Sequence, residues 1–417
     1  MQDISITKYS NHLSQLLPLY LVIFFGFAGY SLMITVFTPL FLHGQGGMLS
    51  PDTTLASRAI LLGILLGLYP LGQFLGSPVL GALSDHFGRR KILLISLIAA
   101  SAFYCLIALS IQLQSLFLLM IFSFFAGLGE ANIVIAQGAI ADVTDEKERN
   151  RFFGYIYLSA SSAYIVAPLI GGKLADPTLA SWFNDATPFW IVFGLLILVF
   201  LWIQFFFKET KKSLTVENIN YMRAFTNLLN VFRPSDIRKL YLINFLLYLA
   251  IFGFFRCYPM YLVDEFKMGV NQVSEFIAWV AVPIVLSNLW LTGFLSRYFS
   301  PKTLTVYFAI FTGIFMISII IFQTTWVLWV TLFLTALALA ICLPSCATVL
   351  SVAVSPTEQG RVMGNNQSLQ VGAEALSGII GGLLAAIVIQ LPLIILALIA
   401  IFAAFILIFF ALPSHKS

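Results

Sequence analysis

Three ionisable side chains lie inside long apolar runs of the sequence: Glu130, Arg256 and Glu374. A charge at the centre of a bilayer costs about 2.5–3.5 kcal/mol on insertion scales, so each of these groups needs a partner or a task. A carboxylate in a partly desolvated cavity has a raised pKa and can exchange protons near neutral pH, whereas an arginine stays charged. The two glutamates are therefore candidates for proton exchange or cation binding.

Glu130 is the first candidate for a proton carrier or a ligand of a substrate cation. Ser123, Glu130 and Gln137 are spaced by seven residues, which is two helical turns, so a continuous helix places them on one face. The alternative is a structural buried acid paired to one base. Weaker candidates are further polar residues of the apolar runs, namely Asn132, Asn244, Tyr30, Tyr164 and Tyr248.

Arg256 has two possible tasks. It can be the counter-ion of a substrate carboxylate or of one of the glutamates. The alternative is a residue whose long side chain reaches the membrane surface.

The elements that must position these groups are membrane helices. The chain has 417 residues, of which 60% are hydrophobic and 10% charged, whereas soluble domains carry about 25% charged residues. An apolar helix of roughly 20 residues spans a bilayer, and membrane backbone must satisfy its own hydrogen bonds. The sequence predicts an all-α polytopic membrane protein with twelve spans, at about 18–42, 60–83, 92–111, 116–141, 152–174, 188–207, 240–263, 273–295, 304–323, 326–350, 365–389 and 392–412.

The distribution of lysine and arginine predicts the sidedness. With the N-terminus inside, the outer loops hold only Arg58, Lys173 and Lys267, and most other basic residues fall on the cytoplasmic side. Both termini are therefore predicted to be cytoplasmic, in a multi-pass protein of the cell membrane, of the bacterial inner-membrane type. The segment 208–239 is a cytoplasmic linker between an N-terminal six-helix bundle at 1–207 and a C-terminal six-helix bundle at 240–417.

The two halves repeat each other. "GALSDHF" from Gly81 recurs as "GFLSRYF" from Gly293, and "RFFG" ending at Gly154 recurs as "RVMG" ending at Gly364. "VFTPLFL" in the first span also matches "RCYPMYL" in the seventh. Parallel six-span repeats imply a pseudo-two-fold axis along the membrane normal, with a substrate site between the halves near the midplane.

The loop between spans two and three carries a long motif. "GALSDHFGRR", with Gly81, Asp85, Gly88 and Arg89 at its key positions, resembles the signature of the major facilitator superfamily. "AQGAIADVTDEKERNRFFG" is similar to the tetracycline-efflux type of its drug/proton antiporters. The resemblance implies a cytoplasmic gate in which Asp85 contacts the eleventh helix and Arg89 pairs with Asp142. The alternative is that the basic residues of this loop only set topology.

The fifth span resembles the antiporter-type signature of that group. Its small residues and proline would form a flexing seam between the halves that distinguishes exporters, the alternative being generic tight packing; they are Gly154, Ala163, Ala167, Pro168, Gly171 and Gly172. Two positions depart from the antiporter pattern. Ser123 stands where that pattern has an arginine, and Gly26 stands near the place of a first-span acid.

Together these features predict a monomeric secondary transporter. We expect rocker-switch export of an amphiphilic small molecule in exchange for protons. One alternative to export is proton-coupled import of a metabolite or siderophore-like compound. Another is a sensor that retains the fold. No G-x-x-x-x-G-K-[ST] loop, metal cluster or nucleophile–base pair occurs, so an enzyme, a cofactor, a metal and a nucleic-acid partner are not expected.

Overall fold

The computed structural model describes residues 2–43, 47–143, 146–210, 237–354 and 356–409. Every regular element within these ranges is helical. The helices are α1 (Gln2–His43), α2 (Leu55–Phe87), α3 (Arg89–Gln112), α4 (Leu116–Glu130), α5 (Ile133–Val143), α6 (Glu146–Leu174), α7 (Thr187–Phe206), α8 (Arg238–Glu265), α9 (Val270–Leu286), α10 (Thr292–Leu295), α11 (Pro301–Ile321), α12 (Thr325–Val352), α13 (Pro356–Ala385) and α14 (Leu391–Phe409).

Eleven segments of the described chain are long and apolar enough to cross a membrane. The helix α6 occupies the predicted fifth span but is not among them. A polytopic helical protein is therefore found, while the count of twelve spans stays a prediction.

The predicted fourth span is not one continuous helix. It consists of α4 and α5, separated by a turn at Ala131 and Asn132. At this turn the Asn132 N–H donates to the Gly129 carbonyl at 3.4 Å, and the Val134 N–H donates to the Ala131 carbonyl at 3.2 Å. These bonds join residues three apart instead of four. Glycine is a poor helix former, so the sequence "GLGEAN" weakens the helix where it breaks.

The predicted eighth span is also irregular. A π-helical turn at Ser287–Leu291 joins α9 to the short α10, after Pro283 near the end of α9. Proline removes a helix hydrogen bond and a π-bulge adds a residue to the turn, so both loosen this span.

The described chain divides into two compact units. The first contains Met1–Met33 and Leu71–Met222, and the second contains Ile34–Pro70 and Arg223–Ser417. Each of α1 and α2 therefore contributes one part to each unit. In the second unit the initial part of α2 packs closely on α13, because a Cβ atom added to Gly63 would lie 2.6 Å from the Gly382 Cα and 2.6 Å from the Gly378 carbonyl oxygen.

Candidate functional site

Glu130 lies at the break between α4 and α5. It is the last residue of α4, and only 1% of its surface is exposed. Across from it on α1, a Cβ atom added to Gly26 would lie 2.7 Å from the Glu130 Oε2. The absence of a side chain at Gly26 therefore provides the space in which the carboxylate lies.

Other predicted polar residues lie near this break in sequence. Asn132 forms part of the turn and is 2% exposed, and within the described ranges its Oδ1 meets no hydrogen-bond donor. Ser123 is fully buried on α4. Gln137 is half-buried on α5. Because the break separates it from α4, the spacing of seven residues does not by itself place Gln137 on the face of Glu130.

The two tyrosines predicted in the first half lie on α1 and α6. Tyr30 is buried, one turn after Gly26. Tyr164 is half-buried, and its ring centre is 6.0 Å from that of Phe27 on α1. Tyr30 thus lies on α1, and Tyr164 lies on α6 beside α1.

A buried ion pair lies in the second unit. The Arg256 Nη2 of α8 is 3.1 Å from the Glu374 Oε1 of α13, with the two side chains 1% and 13% exposed. The Arg256 Nη1 also donates to the Phe252 carbonyl at 2.9 Å. Of the tasks that the sequence left open for Arg256, the structure shows pairing with a glutamate, and the side chain does not extend to an exposed surface.

A polar network lies between α8, α12 and α13. The Asn244 Nδ2 donates to the Asn366 Oδ1 at 3.0 Å, and the Asn366 Nδ2 donates to the Tyr248 hydroxyl at 2.6 Å. Asn244 also contacts the Cys346 carbonyl at 3.4 Å. Sequence reasoning missed Asn366, although its spacing of eight residues before Glu374 places both on one helix face.

The predicted gate forms a compact charged cluster at the end of α2. The Arg89 Nη2 is 2.8 Å from the Asp85 Oδ1, and its Nε donates to the Asp142 Oδ2 at 3.0 Å. Its Nη1 donates to the Ser84 hydroxyl at 2.7 Å, a partner that the sequence did not indicate. Gly81 lies one turn before Asp85 on α2. The contact of Asp85 with the eleventh span stays a prediction.

Glu209, which follows α7, is a further residue of this cluster. Its Oε1 accepts the Arg89 N–H at 2.9 Å and its Oε2 accepts the Arg90 N–H at 3.0 Å. Gly88 turns the chain between α2 and α3 with φ +97°, a conformation that favours glycine. Sequence spacing gave no signal for this contact because Glu209 and Arg89 are 120 positions apart.

The small residues of the fifth span lie on α6. Five of the predicted residues are buried there, namely Ala163, Ala167, Pro168, Gly171 and Gly172. Gly171 lies directly against Leu32 of α1, and an added Cβ would be 3.9 Å from the Pro188 Cβ of α7. Tight packing within the first unit is thus observed, and a flexing seam stays a prediction. The surroundings of Gly154 lie outside the described residues.

No group of three or more His, Cys, Asp or Glu that would hold a metal occurs in the described chain. The four cysteines are free thiols, and Cys257, Cys342 and Cys346 are buried.

Comparison with known proteins decides the family. The sequence profile of the Major Facilitator Superfamily matches residues 19–255 and 240–417. The chain belongs to the Major Facilitator Superfamily. It is therefore a membrane transporter and not an enzyme, and the resemblance to the efflux branch is confirmed.

Two relatives of this superfamily member carry resistance names. The chain is 29% identical over 329 residues to the class B tetracycline resistance protein of Escherichia coli, covering 78% of each chain. It is 23% identical over 380 residues to the quinolone resistance protein NorA of Staphylococcus aureus, covering 91% of this chain and 92% of the relative. The crystal structure of a D-xylose-proton symporter matches with TM-score 0.72 at 15% identity, covering 96% and 99% of the two chains, which supports the fold.

Proposed function

We propose that this transporter exports amphiphilic, drug-like small molecules in exchange for protons, with Glu130 as the proton carrier. The observation that carries the proposal is the buried carboxylate of Glu130 at the break of a membrane helix, set into the space left by Gly26. The relatives named for tetracycline and quinolone resistance support drug-like compounds as the substrate class. Import of a metabolite is not favoured.

The position of Glu130 suits reversible proton binding. Burial removes water from the carboxylate, and the carbonyl end of α4 carries the negative end of the helix dipole. Both effects disfavour a negative charge at this position. Broken membrane helices commonly hold ions and substrates in transporters, because backbone groups freed at the break are available to them.

The Arg256–Glu374 pair provides a second charged element, in the C-terminal half. In this proposal Glu374 neutralises Arg256 while no anion is bound. When an acidic group of the substrate takes the place of the Glu374 carboxylate, it pairs with the guanidinium instead. The neighbouring amides of Asn244 and Asn366 provide neutral polar contacts.

Alternating access completes the proposal. With both termini cytoplasmic, the Arg89 cluster lies at the inner ends of the helices, and the contact of Gly63 with Gly382 lies near the outer ends of α2 and α13. Export requires α2 and α13 to separate on the outside while the inner ends of the helices close. We propose this rocker-switch cycle for a twelve-span monomer in a bacterial inner membrane.

The test is transport by the purified protein in liposomes with an imposed pH gradient, using tetracycline and a quinolone as probes. We expect Glu130→Gln to abolish accumulation driven by the gradient while leaving counterflow exchange intact. Glu275→Gln is the matched control, since Glu275 is an exposed acid on α9. Full accumulation by Glu130→Gln would remove Glu130 from the mechanism. Movement of drug together with protons would favour import, and no movement under any gradient would favour a sensor.

A further inference from the structure

The segment after α7 is tied to the start of α3 by two polar contacts in opposite directions. The Glu209 carboxylate accepts the backbone N–H groups of Arg89 and Arg90, as described above. The Arg90 Nη2 donates in return to the Gln204 carbonyl, in the last turn of α7, at 2.6 Å. The anion thus lies at a helix N-terminus and the cation at a helix C-terminus, where the helix dipoles favour them.

This double contact fixes the backbone of the gate arginine. The first N–H groups of a helix have no partner within the helix, and Glu209 supplies one for each of the first two residues of α3. Arg89 is consequently held at both ends, its backbone by Glu209 and its guanidinium by Asp85 and Asp142. The direction in which the guanidinium leaves the chain depends on where Glu209 holds that backbone.

The contact of Glu209 with α3 requires glycine at position 88. A Cβ atom added to Gly88 would lie 2.6 Å from the Glu209 Oε2, and the φ of +97° is strained for any other residue. A side chain at position 88 would therefore displace the carboxylate. The glycine of the gate motif makes room for an acid that lies at the beginning of the linker between the two halves.

We propose that Glu209 is a positioning residue for the gate, which holds the first turn of α3 so that Arg89 reaches Asp142. The same contact fastens the first residues of the 208–239 linker to the gate. Release of residues 208–210 and rearrangement of the Arg89 cluster are thereby coupled. The gate is a junction of α2, α3, α5 and the linker, and not only of the loop between spans two and three.

Limited trypsin digestion tests the contact without any substrate. The sequence offers cleavage sites at Lys208, Lys211 and Lys212. We expect at least threefold faster cleavage at these sites in Glu209→Gln and in Gly88→Ala than in the wild-type protein. Synthetic peptides of residues 204–216, with and without the substitution, correct for the effect of sequence on trypsin.

Asp176→Asn is the matched control for this digestion. Its Oδ1 accepts the Thr178 N–H at 2.9 Å, so this acid also holds a backbone donor, but far from the linker in sequence. We expect Asp176→Asn to be cleaved at the wild-type rate. Each digestion is run at the same number of degrees below the Tm of that variant in detergent, so that general unfolding is not mistaken for release of the linker. Unchanged cleavage in both Glu209→Gln and Gly88→Ala would overturn the proposal.

A double-mutant cycle tests whether Glu209 acts through Arg89, and this second experiment rests on the proposed function. If it does, Glu209→Gln lowers the rate of drug transport at least threefold in the wild-type protein. In the Arg89→Ala variant, the same substitution lowers the rate by less than twofold. If the fold-losses in transport rate of the two single variants multiply in the double variant, Glu209 has a merely structural role and the positioning role is overturned. If the wild-type protein moves no drug, the proposed function has failed, and the cleavage rates alone decide the contact.

Discussion

Glu374→Met and Arg256→Met remove opposite ends of one buried ion pair, and we expect unequal costs. Loss of Glu374 leaves a guanidinium that is 1% exposed and cannot release its proton. Breaking a buried pair in this way costs about 3–5 kcal/mol. Loss of Arg256 leaves a carboxylate that becomes neutral by binding a proton, so only the cost of an unmatched polar group remains, about 1–3 kcal/mol. The double variant Arg256→Met/Glu374→Met buries no charge and should lie within about 1 kcal/mol of the wild type.

Thermal unfolding in one detergent measures this ranking. A change of 1 kcal/mol moves Tm by about 2–4 °C in domains of about 150–250 residues. Glu374→Met should therefore lower Tm by at least about 6 °C, Arg256→Met by about half as much, and the double variant by no more than about 4 °C. Lys267→Met is the control, because the Lys267–Asp264 pair is exposed on its lysine side and such pairs contribute little. Equal losses in the two single variants, or additive losses in the double variant, would refute the reasoning.

Three further predictions concern the Arg89 cluster, the contact between α2 and α13, and the loop before α7. Arg89→Lys keeps the charge but not the guanidinium geometry that reaches Asp142 at 3.0 Å, so transport should fall about tenfold; wild-type rates would contradict this. Gly63→Leu should lower the free energy of unfolding by about 1–3 kcal/mol or more, because the new side chain forces α2 away from α13. Gly194→Leu is the control, since a Cβ atom at Gly194 meets open space, and it should leave Tm unchanged. Burial raises the pKa of the Asp185 carboxyl to about 6, so the folded protein binds a proton there more tightly than the unfolded chain does. The stability of the fold therefore falls as the pH rises from about 4 to about 6. Asp185→Asn should raise Tm above pH 6 and leave it unchanged below pH 4.

The pairing of Arg89 with Asp142 was predicted from the sequence, whereas its role as a gate stays a prediction. The resemblance to the superfamily motif implied this pairing, and the predicted spans end at both residues on the same membrane side. Their ion pair at 3.0 Å agrees with that expectation. Ser84 and Glu209 were missed because nothing in local spacing marks them. Ser84 is a small residue on a helix, and Glu209 reaches the cluster only through the packing of α7 beside α3.

The break at Ala131 was hidden for a different reason. The run 116–141 is predominantly apolar, and hydropathy responds to composition and not to the pattern of backbone hydrogen bonds. Gly127 and Gly129 indicated a weak helix, but many membrane helices contain glycine without breaking. The fit of the Glu130 carboxylate to Gly26 was likewise hidden, since complementarity between a large and a small residue on separate helices leaves no periodic signal.

The duplication gives the charges a further meaning. The helical pattern repeats, but the charges do not: in the matched segments Arg256 corresponds to Val36, and Glu374 corresponds to Tyr164. The first unit buries one acid at a helix break, and the second buries a matched ion pair. Two equivalent proton sites would require matching acids in the two copies. Since the copies differ, we expect the halves to divide the work, so that Glu130→Gln removes proton coupling, whereas Glu374→Gln alters which charged substrates are accepted.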